Sequence, residues 1–277
     1  MSDAIDTRLA ASLAALVNPE TAKLIFSVQG HNATPPNYMR NTSSWCYDLR
    51  QQMTCISPWN SSGLNLGTGT AITAQHIISA YHNKLPLDAT VRFITANNVI
   101  VEKIIRGRAD NLDCDVSVYT LDSLLPATIT PCKVLPANYA NYLSYLGGGR
   151  PPVMFLDQEE KATVRDLRTL EYRPHSTGFG VHAIEPTHHP DRLQFYEATQ
   201  GGDSGDPIFL IVNNELALLH VLSVAEGGPF VSNCVPTLNA MIVAADANAT
   251  ARGYPQNTGL PVETVNLSGF PFLTPPP

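Results

Sequence analysis

The stretch around Ser204 has the residue types and spacing best suited to chemistry. It reads Gln-Gly-Gly-Asp-Ser-Gly-Asp-Pro over residues 200–207 and runs directly into the apolar residues 208–212. Glycines on both sides of a serine let the backbone bend sharply and leave N–H groups open to an oxygen that becomes negative during acyl transfer. The pattern predicts Ser204 as a nucleophile, with the N–H groups of Gly202 and Ser204 as an oxyanion hole. Taken alone, the stretch also fits a glycine-rich surface turn that contains a serine by chance.

A nucleophilic serine needs a base within hydrogen-bond reach, and the base needs a carboxylate that fixes its tautomer. His82 follows the apolar end of a predicted strand over residues 76–80, where its side chain can face a cleft. Asp115 directly precedes the alternating apolar run 116–121. We therefore predict His82 as the base and Asp115 as the carboxylate. Asp113 is the alternative carboxylate, and we prefer Asp115 because the alternating run starts directly after it.

Most of the other histidines indicate no second site. His76 falls in a predicted hairpin turn, so we expect its side chain to be solvated. The loop histidines lack the spacing of a metal site, and the chain has no Cys-x-x-Cys pair. We therefore expect no metal ion and no organic cofactor. These loop histidines are His175, His182, His188 and His189, of which the last two could touch a substrate.

From residue 66 onward, the sequence pattern is mainly typical of β-strands. Short apolar runs alternate with turn signals about every ten residues, which favours a closed antiparallel barrel or a sandwich over a parallel sheet. Apolar spacing predicts a short N-terminal helix over residues 3–17 and a closing helix over residues 235–247. The predicted strands cover residues 24–28, 69–73, 76–80, 90–95, 99–105, 116–121, 142–146, 153–156, 162–170, 192–198, 207–212, 216–224 and 230–232.

Prolines suggest how the chain is divided. Residues 122–131 contain two prolines and no clear period, so they predict a crossover between two halves. The prolines after residue 249 predict an extended tail. The predicted units are an N-terminal helical segment (1–22), a first half with His82 and Asp115 (23–125), a second half with Ser204 (126–248) and a Pro-rich tail (249–277).

Charge and composition exclude some classes of partner. The 277 residues carry 17 basic and 24 acidic side chains, a formal charge of −7, so we expect binding neither to nucleic acid nor to an anionic membrane. No apolar run is long enough to span a bilayer, and the first twenty residues lack an ordinary secretory signal, which leaves localisation open. Five cysteines are too few for a disulfide scaffold, although Cys46 and Cys55 are close enough in sequence to bridge a loop.

Three motifs resemble those of chymotrypsin-like serine peptidases. Residues 78–82 (Ile-Ser-Ala-Tyr-His) resemble the motif that ends in that family's base, and residues 115–118 (Asp-Val-Ser-Val) resemble its carboxylate strand. Residues 202–207 (Gly-Asp-Ser-Gly-Asp-Pro) resemble its nucleophile motif. By layout the resemblance covers about residues 24–248. It implies an all-β fold of two antiparallel six-stranded β-barrels, with a short N-terminal helix, a C-terminal helix and the Pro-rich tail added.

The resemblance also implies a substrate pocket, walled by the residues before the nucleophile turn and by the strand after it. It assigns Ala198, Thr199, His220 and Ser223 to substrate binding, and Ala198 stands where trypsin-like members carry an aspartate. Thr199 and His220 are similar to the Thr and His that bind glutamate or glutamine in bacterial glutamyl endopeptidases and several viral chymotrypsin-like proteases. A core histidine with satisfied hydrogen bonds is the alternative for His220.

Two features depart from the family. No Ile-Val-Gly-Gly activation sequence is present, so Asp203 needs another partner, such as a backbone N–H or an arginine. Asp206 replaces the usual glycine after the nucleophile motif, and the sequence gives no role for it. We expect a serine endopeptidase that cleaves polypeptides through an acyl-enzyme, with a preference for Glu or Gln on the acyl side. A non-catalytic binding module and an esterase on the same fold are the alternatives.

Overall fold

The computed structural model describes residues 3–27, 38–59, 67–139, 150–170, 180–224, 227–229, 231, 235–254 and 259–268. The fold of these residues is mostly β, with two sheets and a few helices. The helices are α1 (Asp3–Ala14), α2 (Pro19–Lys23), α3 (Pro190–Leu193) and α4 (Val235–Ala251). The strands are β1 (Ile56–Ser57), β2 (Gly69–Ala71), β3 (His76–Ala80), β4 (Thr90–Ile94), β5 (Ile100–Asn111), β6 (Val116–Leu121), β7 (Lys133–Val134), β8 (Pro152–Leu156), β9 (Ala162–Leu170), β10 (Val181–Ile184), β11 (Pro207–Val212), β12 (Glu215–Val221) and β13 (Gly227–Gly228).

The first sheet is a nearly closed antiparallel barrel. Its six strands follow the order β1-β2-β3-β6-β5-β4, and the two edge strands β1 and β4 lie against each other. Two short 3-10 helices, Tyr47–Leu49 and Gln52–Cys55, lead into β1. The strands β3 and β6 have the predicted bounds, because both are short, wholly buried apolar runs bounded by turns.

The second sheet has seven strands in the order β13-β10-β9-β8-β11-β12-β7. Neighbouring strands are antiparallel except β7, which runs parallel to β12. The strands β9 and β11 again have the predicted bounds. An extended piece of the predicted tail adds to β7, since the Val134 N–H donates to the Glu263 carbonyl and the Val265 N–H donates back to the Val134 carbonyl, both at 2.9 Å.

Buried side chains join the two predicted halves. One apolar cluster combines side chains from the first sheet, such as Ile78 and Val118, with side chains from the second, such as Met154 and Phe209. Leu9 of α1 belongs to the same cluster, so the N-terminal helix packs on the core. The division of the chain at residues 22, 125 and 248 stays a prediction.

Two predicted strands are wrong. Residues 192–198 begin inside the short helix α3 and continue through a turn into irregular chain, because Pro190 at the first helical position favours a helix start over a strand. The predicted strand over residues 24–28, of which residue 28 lies outside the described part, directly follows α2, whose N-cap Asn18 side chain accepts a hydrogen bond from the Glu20 N–H at 2.9 Å. Leu24 and Phe26 then make only isolated bridges. The strands predicted at 142–146 and 230–232 fall outside the described residues, except for Val231.

The prediction of a solvated His76 is also wrong. This side chain is fully buried in β3, with Nδ1 2.7 Å from the Thr73 hydroxyl and Nε2 3.0 Å from Oδ1 of Asp246. The same Asp246 oxygen accepts from the Thr120 hydroxyl at 2.9 Å. Asp246 lies on α4, so this polar group ties the helix to the first sheet. Burial lowers the pKa of His76, with Asp246 acting in the opposite direction.

Cys46 and Cys55, whose spacing would allow a bridge, form no disulfide. Both thiols are free and buried, and the Cys46 sulfur contacts the Met53 sulfur at 3.8 Å and the Ser44 hydroxyl at 3.4 Å. Burial raises the pKa of Cys46 to about 12, so this thiol stays protonated near neutral pH.

The packing of α4 on β5 requires a glycine. A Cβ at Gly107 would overlap the carbonyl oxygen of Ala245 and lie 2.9 Å from the Cβ of Ala249. We expect Gly107→Ala to lower the free energy of unfolding by about 1–3 kcal/mol, because the helix backbone must move away from the strand. Urea denaturation measures this change. Gly201→Ala is the control, since its Cβ would meet nothing within 4 Å; equal stability of the two variants would contradict the close packing.

Candidate functional site

His82, Asp115 and Ser204 lie together where the first sheet meets the second. The imidazole Nδ1 of His82 is 2.6 Å from Oδ2 of Asp115, and its Nε2 is 2.7 Å from the Ser204 hydroxyl. The backbone N–H of His82 donates to the other Asp115 oxygen at 2.9 Å. Because the carboxylate accepts the Nδ1 proton, Nε2 is left as an acceptor for the serine proton. The structure thus brings the three predicted residues into one hydrogen-bonded chain.

Strand pairing puts His82 beside Asp115. In the antiparallel pair β3–β6, Ala80 lies opposite Val116, so the residues just beyond these two strand ends are neighbours. The Tyr81 N–H extends the pairing by donating to the Asp115 carbonyl at 2.9 Å. Asp115 has a φ of 52°, a left-handed conformation that aspartate adopts more readily than most residues. The alternative carboxylate, Asp113, is exposed in the same turn.

The turn that carries Ser204 depends on two glycines with positive φ. Gly202 has a φ of 115° and Gly205 a φ of 95°, values that residues with a Cβ adopt only with strain. A Cβ on Gly205 would also lie 2.5 Å from the Ser79 hydroxyl oxygen, in the first sheet. The Asn83 amide donates to the Ser204 carbonyl at 3.0 Å, so the first sheet helps to fix the backbone of the nucleophile.

Hydrogen bonds to the carbonyls of the turn determine which way its peptide groups face. The Gly202 carbonyl accepts from the Trp59 indole at 2.9 Å, and the Gly201 carbonyl accepts from the Gln158 amide at 3.0 Å. Within the described residues, the N–H groups of Gly202 and Ser204 have no acceptor. These two donors are therefore available to a ligand oxygen, the arrangement that an oxyanion hole requires.

The partners of Asp203 are backbone N–H groups. Its carboxylate accepts from the Gln200 N–H at 2.7 Å and from the Gln158 N–H at 3.2 Å. These bonds link the turn to the loop at residues 157–160, which also supplies the Gln158 amide. The sequence left a backbone N–H and an arginine as possible partners of Asp203, and the structure shows hydrogen bonds from backbone N–H groups.

Asp206 ties the turn to the first sheet. It is buried, and its Oδ1 accepts a hydrogen bond from the hydroxyl of Thr68, just before β2. Its Oδ2 has no partner among the described residues. Burial raises the pKa of Asp206 well above the usual range, and the neighbouring acidic groups act in the same direction, whereas the hydrogen bond from Thr68 lowers it. This contact gives a structural role to the residue that the sequence left unexplained.

Four buried carboxyl groups surround the turn, and we call them the carboxyl cluster. Burial raises the pKa of Asp157 to about 7 and the pKa of Glu160 to about 8, and neighbouring acidic groups add to both shifts. Burial also raises the pKa of Asp203. Glu160 accepts a hydrogen bond from the Trp59 backbone N–H at 2.7 Å. The carboxyl cluster thus helps to position Trp59, whose indole donates to the Gly202 carbonyl. The members are Asp157, Glu160, Asp203 and Asp206.

The predicted pocket residues lie in different environments. Ala198 is exposed, whereas Thr199 is partly buried and its hydroxyl accepts from a guanidinium nitrogen of Arg165 at 2.8 Å. His220 is fully buried, and neither ring nitrogen has a hydrogen-bond partner of normal geometry among the described residues. The hydroxyl of Ser223 likewise has no partner within the described part. The alternative of a satisfied core histidine therefore does not describe His220 in this part of the chain.

Sequence reasoning missed Arg165. The residue is fully buried on β9, a stretch that was predicted only as a strand. A charged residue at a strand position flanked by Val164 was the available signal, because a buried guanidinium needs polar partners. Its link to Thr199 could not be read from the sequence, since the two residues are far apart along the chain.

No group of three His, Cys, Asp or Glu side chains among the described residues is placed to hold a metal ion. None of the described helices has the length and apolar character needed to cross a membrane.

The sequence was compared with known proteins. It matches no model of a protein family, and no curated protein shows significant similarity to it. Interpretation of the site therefore depends on the geometry described above.

The carboxyl cluster makes stability depend on pH. Because the folded-state pKa of Glu160, about 8, lies above the ordinary value of 4.5, this group favours the folded protein at low pH. That contribution is lost as pH rises from about 4.5 to 8, at about 1.4 kcal/mol per pH unit. We expect Glu160→Gln, which keeps the acceptor for Trp59, to show a shallower loss of unfolding free energy between pH 5 and 8 than the wild type.

Urea denaturation at each pH measures the two slopes. Glu263→Gln is the matched control, because Glu263 is exposed, and its slope should equal that of the wild type. Parallel curves for Glu160→Gln and the wild type would show that Glu160 is ionised in the folded protein.

Proposed function

We propose that the protein is a serine endopeptidase that hydrolyses polypeptides through an acyl-enzyme. The observation that carries this proposal is the continuous hydrogen-bonded chain from Asp115 through His82 to Ser204. The unbonded N–H groups of Gly202 and Ser204 supply the second element that acyl transfer needs. A surface turn with a chance serine would require neither feature.

In the proposed mechanism, Ser204 Oγ attacks the carbonyl carbon of the scissile peptide bond while its proton passes to Nε2 of His82. Asp115 stabilises the imidazolium that forms, and the N–H groups of Gly202 and Ser204 bind the negative oxygen of the tetrahedral intermediate. His82 then gives the proton to the leaving amine, and the C–N bond breaks. A water molecule, deprotonated by His82, attacks the acyl-enzyme and releases the acid and the Ser204 hydroxyl.

The proposal includes a chymotrypsin-like fold. The nearly closed first sheet, with His82 and Asp115 at the ends of β3 and β6, is consistent with one six-stranded barrel. We propose that the second sheet is the counterpart barrel, since Ser204 lies just before its strand β11. The motif order His82, Asp115, Ser204 supports the same assignment.

The proposed partner is a polypeptide with Glu or Gln on the acyl side of the cleaved bond. Thr199 and His220 are the residues proposed to bind that side chain, and the support is the buried imidazole without a satisfied hydrogen bond. A polar ligand group would hydrogen-bond this imidazole, whose burial without such a bond costs free energy. The net charge of −7 gives no support for nucleic acid or an anionic membrane as partner.

Substitution of Ser204 tests the catalytic proposal. We expect Ser204→Ala to lower peptide cleavage by a factor on the order of 10⁴–10⁶ and to abolish labelling by a fluorophosphonate probe. We expect Asp115→Asn to lower cleavage by about 10⁴-fold, because the wrong tautomer of His82 is then favoured. Cleavage of a proteome-derived peptide library, read by mass spectrometry, measures activity.

The matched control is Ser123→Ala, at an exposed serine outside the site. It should cleave and label like the wild type. A wild type that cleaves no bond left intact by Ser204→Ala would refute the peptidase. If the wild type hydrolyses small esters but no peptide, the protein is an esterase and not a peptidase. Failure of the probe to label Ser204 would favour a non-catalytic binding module.

Substitution of His220 tests the proposed side-chain preference. We expect His220→Ala to lower cleavage after Glu and Gln by at least about 10²-fold, because a buried hydrogen-bonding partner of the side chain is lost. Labelling of Ser204 should persist, which shows that the nucleophile is intact. Cleavage by the wild type after Phe or Arg as readily as after Glu or Gln would contradict the assignment.

A further inference from the structure

We propose that Lys23, on the N-terminal helix α2, is a positioning residue for the turn that carries Ser204, and that full activity depends on it. This inference rests on the proposed function, because it concerns the reaction of the same serine. It depends on three observations: the buried ion pair between Lys23 and Glu197, the position of Glu197 just before the turn, and the contact of the N-terminal segment with the loop at residues 157–160.

The Lys23 ammonium is buried between two carboxylates. Only 2% of its side chain is exposed, and Nζ lies 2.6 Å from Oε1 of Glu20 and 2.6 Å from Oε1 of Glu197. Glu20 belongs to the same helix and is largely exposed, whereas Glu197 is mostly buried and lies far away in sequence. Burial of an ammonium group costs free energy unless a carboxylate pairs with it. The burial of Lys23 is therefore coupled to the position of Glu197.

Glu197 is fixed through both its side chain and its backbone. Its two carboxylate oxygens accept from the Lys161 ammonium at 2.9 and 3.0 Å, and its carbonyl accepts from the Arg165 guanidinium at 2.9 Å. Although burial acts in the opposite direction, the ammonium groups of Lys23 and Lys161 lower the pKa of Glu197, so its carboxylate is ionised near neutral pH. Hydrogen bonds between ionised groups are stronger than neutral ones. Loss of Lys23 would thus remove one of the two ammonium groups that hold this carboxylate in the described part of the chain.

Glu197 lies on the segment that leads into the turn. Three residues later, the Gln200 N–H donates to the Asp203 carboxylate at 2.7 Å. Asp203 directly precedes Ser204, whose N–H is one of the two donors proposed for the oxyanion hole. Because only two residues separate Glu197 from Gln200, a displacement of Glu197 would disturb this bond. The ion pair of Lys23 is thus linked to the nucleophile through a short stretch of chain.

The N-terminal segment also contacts the loop that holds a carbonyl of the turn. The Ile25 N–H, two residues after Lys23, donates to the Glu160 carbonyl at 3.0 Å. The same loop supplies the Gln158 amide, which donates to the Gly201 carbonyl at 3.0 Å. One short piece of the N-terminal segment therefore contacts both chain segments that orient the turn.

Other hydrogen bonds keep α2 in place when Lys23 is changed. The Ala22 carbonyl accepts from the Trp45 N–H at 2.9 Å, and the Asn41 amide donates to two further carbonyls of this segment at 2.8 and 2.9 Å. A substitution of Lys23 should therefore leave the helix attached and release only Glu197. The helix is thus a fixed point against which the segment before the turn is positioned.

Lys23→Met tests the proposal, because it removes the ammonium and keeps an unbranched side chain. We expect kcat for peptide cleavage to fall by about 10- to 100-fold, with KM changed by less than about threefold, because Ser204 and its N–H leave the productive geometry. The rate constant for fluorophosphonate labelling of Ser204 should fall by the same factor. Both are measured at a temperature where circular dichroism shows the variant to be folded.

Two controls separate positioning from stability. Lys133→Met removes the lysine of another ion pair, with Glu215 at the β7 edge of the second sheet, and it should label at the wild-type rate. Gly107→Ala should lower stability through the packing of α4 on β5, and it should also label at the wild-type rate while folded. An unchanged labelling rate constant in folded Lys23→Met overturns the proposal, as does an equal loss in Gly107→Ala.

If Lys23→Met does not fold, Glu197→Gln takes its place, since it removes the charge and keeps the shape of the side chain. It should slow labelling by at least about threefold, because the charge-assisted bonds from Lys23 and Lys161 are lost. An unchanged rate constant in Glu197→Gln then overturns the proposal.

Hydrogen–deuterium exchange separates this inference from the proposed function, because it reports on the turn without a substrate. Backbone N–H groups of residues 198–206 should exchange at least about threefold faster in Lys23→Met, or in Glu197→Gln where that is the folded variant, with exchange in β3 and β6 unchanged. Faster exchange in a protein whose Ser204 neither labels nor cleaves supports the link from Lys23 to the turn and refutes the peptidase. Wild-type rates of exchange and labelling in the variant of an active protein support the peptidase and refute the link.

Discussion

The orientation of the peptide groups around Ser204 is the constraint on which the rest of the site depends. Two N–H groups can face a ligand only if the carbonyls of the turn are held on the other side. Trp59, which follows β1, donates to the Gly202 carbonyl, and Gln158, between β8 and β9, donates to the Gly201 carbonyl, so the two donors belong to different sheets. The turn is therefore not stable in this form as an isolated loop, and its geometry depends on both sheets being folded.

The residues that hold the turn around Ser204 include several buried carboxyl groups. A buried carboxylate is costly unless it is paired, and Asp203 meets this cost by accepting backbone N–H bonds. Asp206 accepts a hydrogen bond from the Thr68 hydroxyl, and burial raises its pKa. The same arrangement links the geometry around Ser204 to pH, because ionisation would put like charges close together beneath the turn.

The sequence was most informative where local pattern decides the structure. The bounds of β3 and β6 follow from apolar runs and turns, and their pairing brings His82 to Asp115. It was least informative where the partner is distant: His76 is buried because Asp246, 170 residues later, lies against it. Short strands such as β7 and β13 have too few residues to form a pattern. Arg165 was missed for the same reason as His76, since its bond to Thr199 exists only in the folded sheet.

Buried polar groups without hydrogen bonds distinguish residues that stabilise this fold from residues that could bind a ligand. A fold selected for stability alone would replace His220 by an apolar residue, because a buried imidazole without hydrogen bonds lowers stability. Near Arg165 the cost rises further, since the ring cannot gain a proton without meeting a second positive charge. A ligand that hydrogen-bonds the ring would offset this cost, which supports the substrate-binding role proposed for His220.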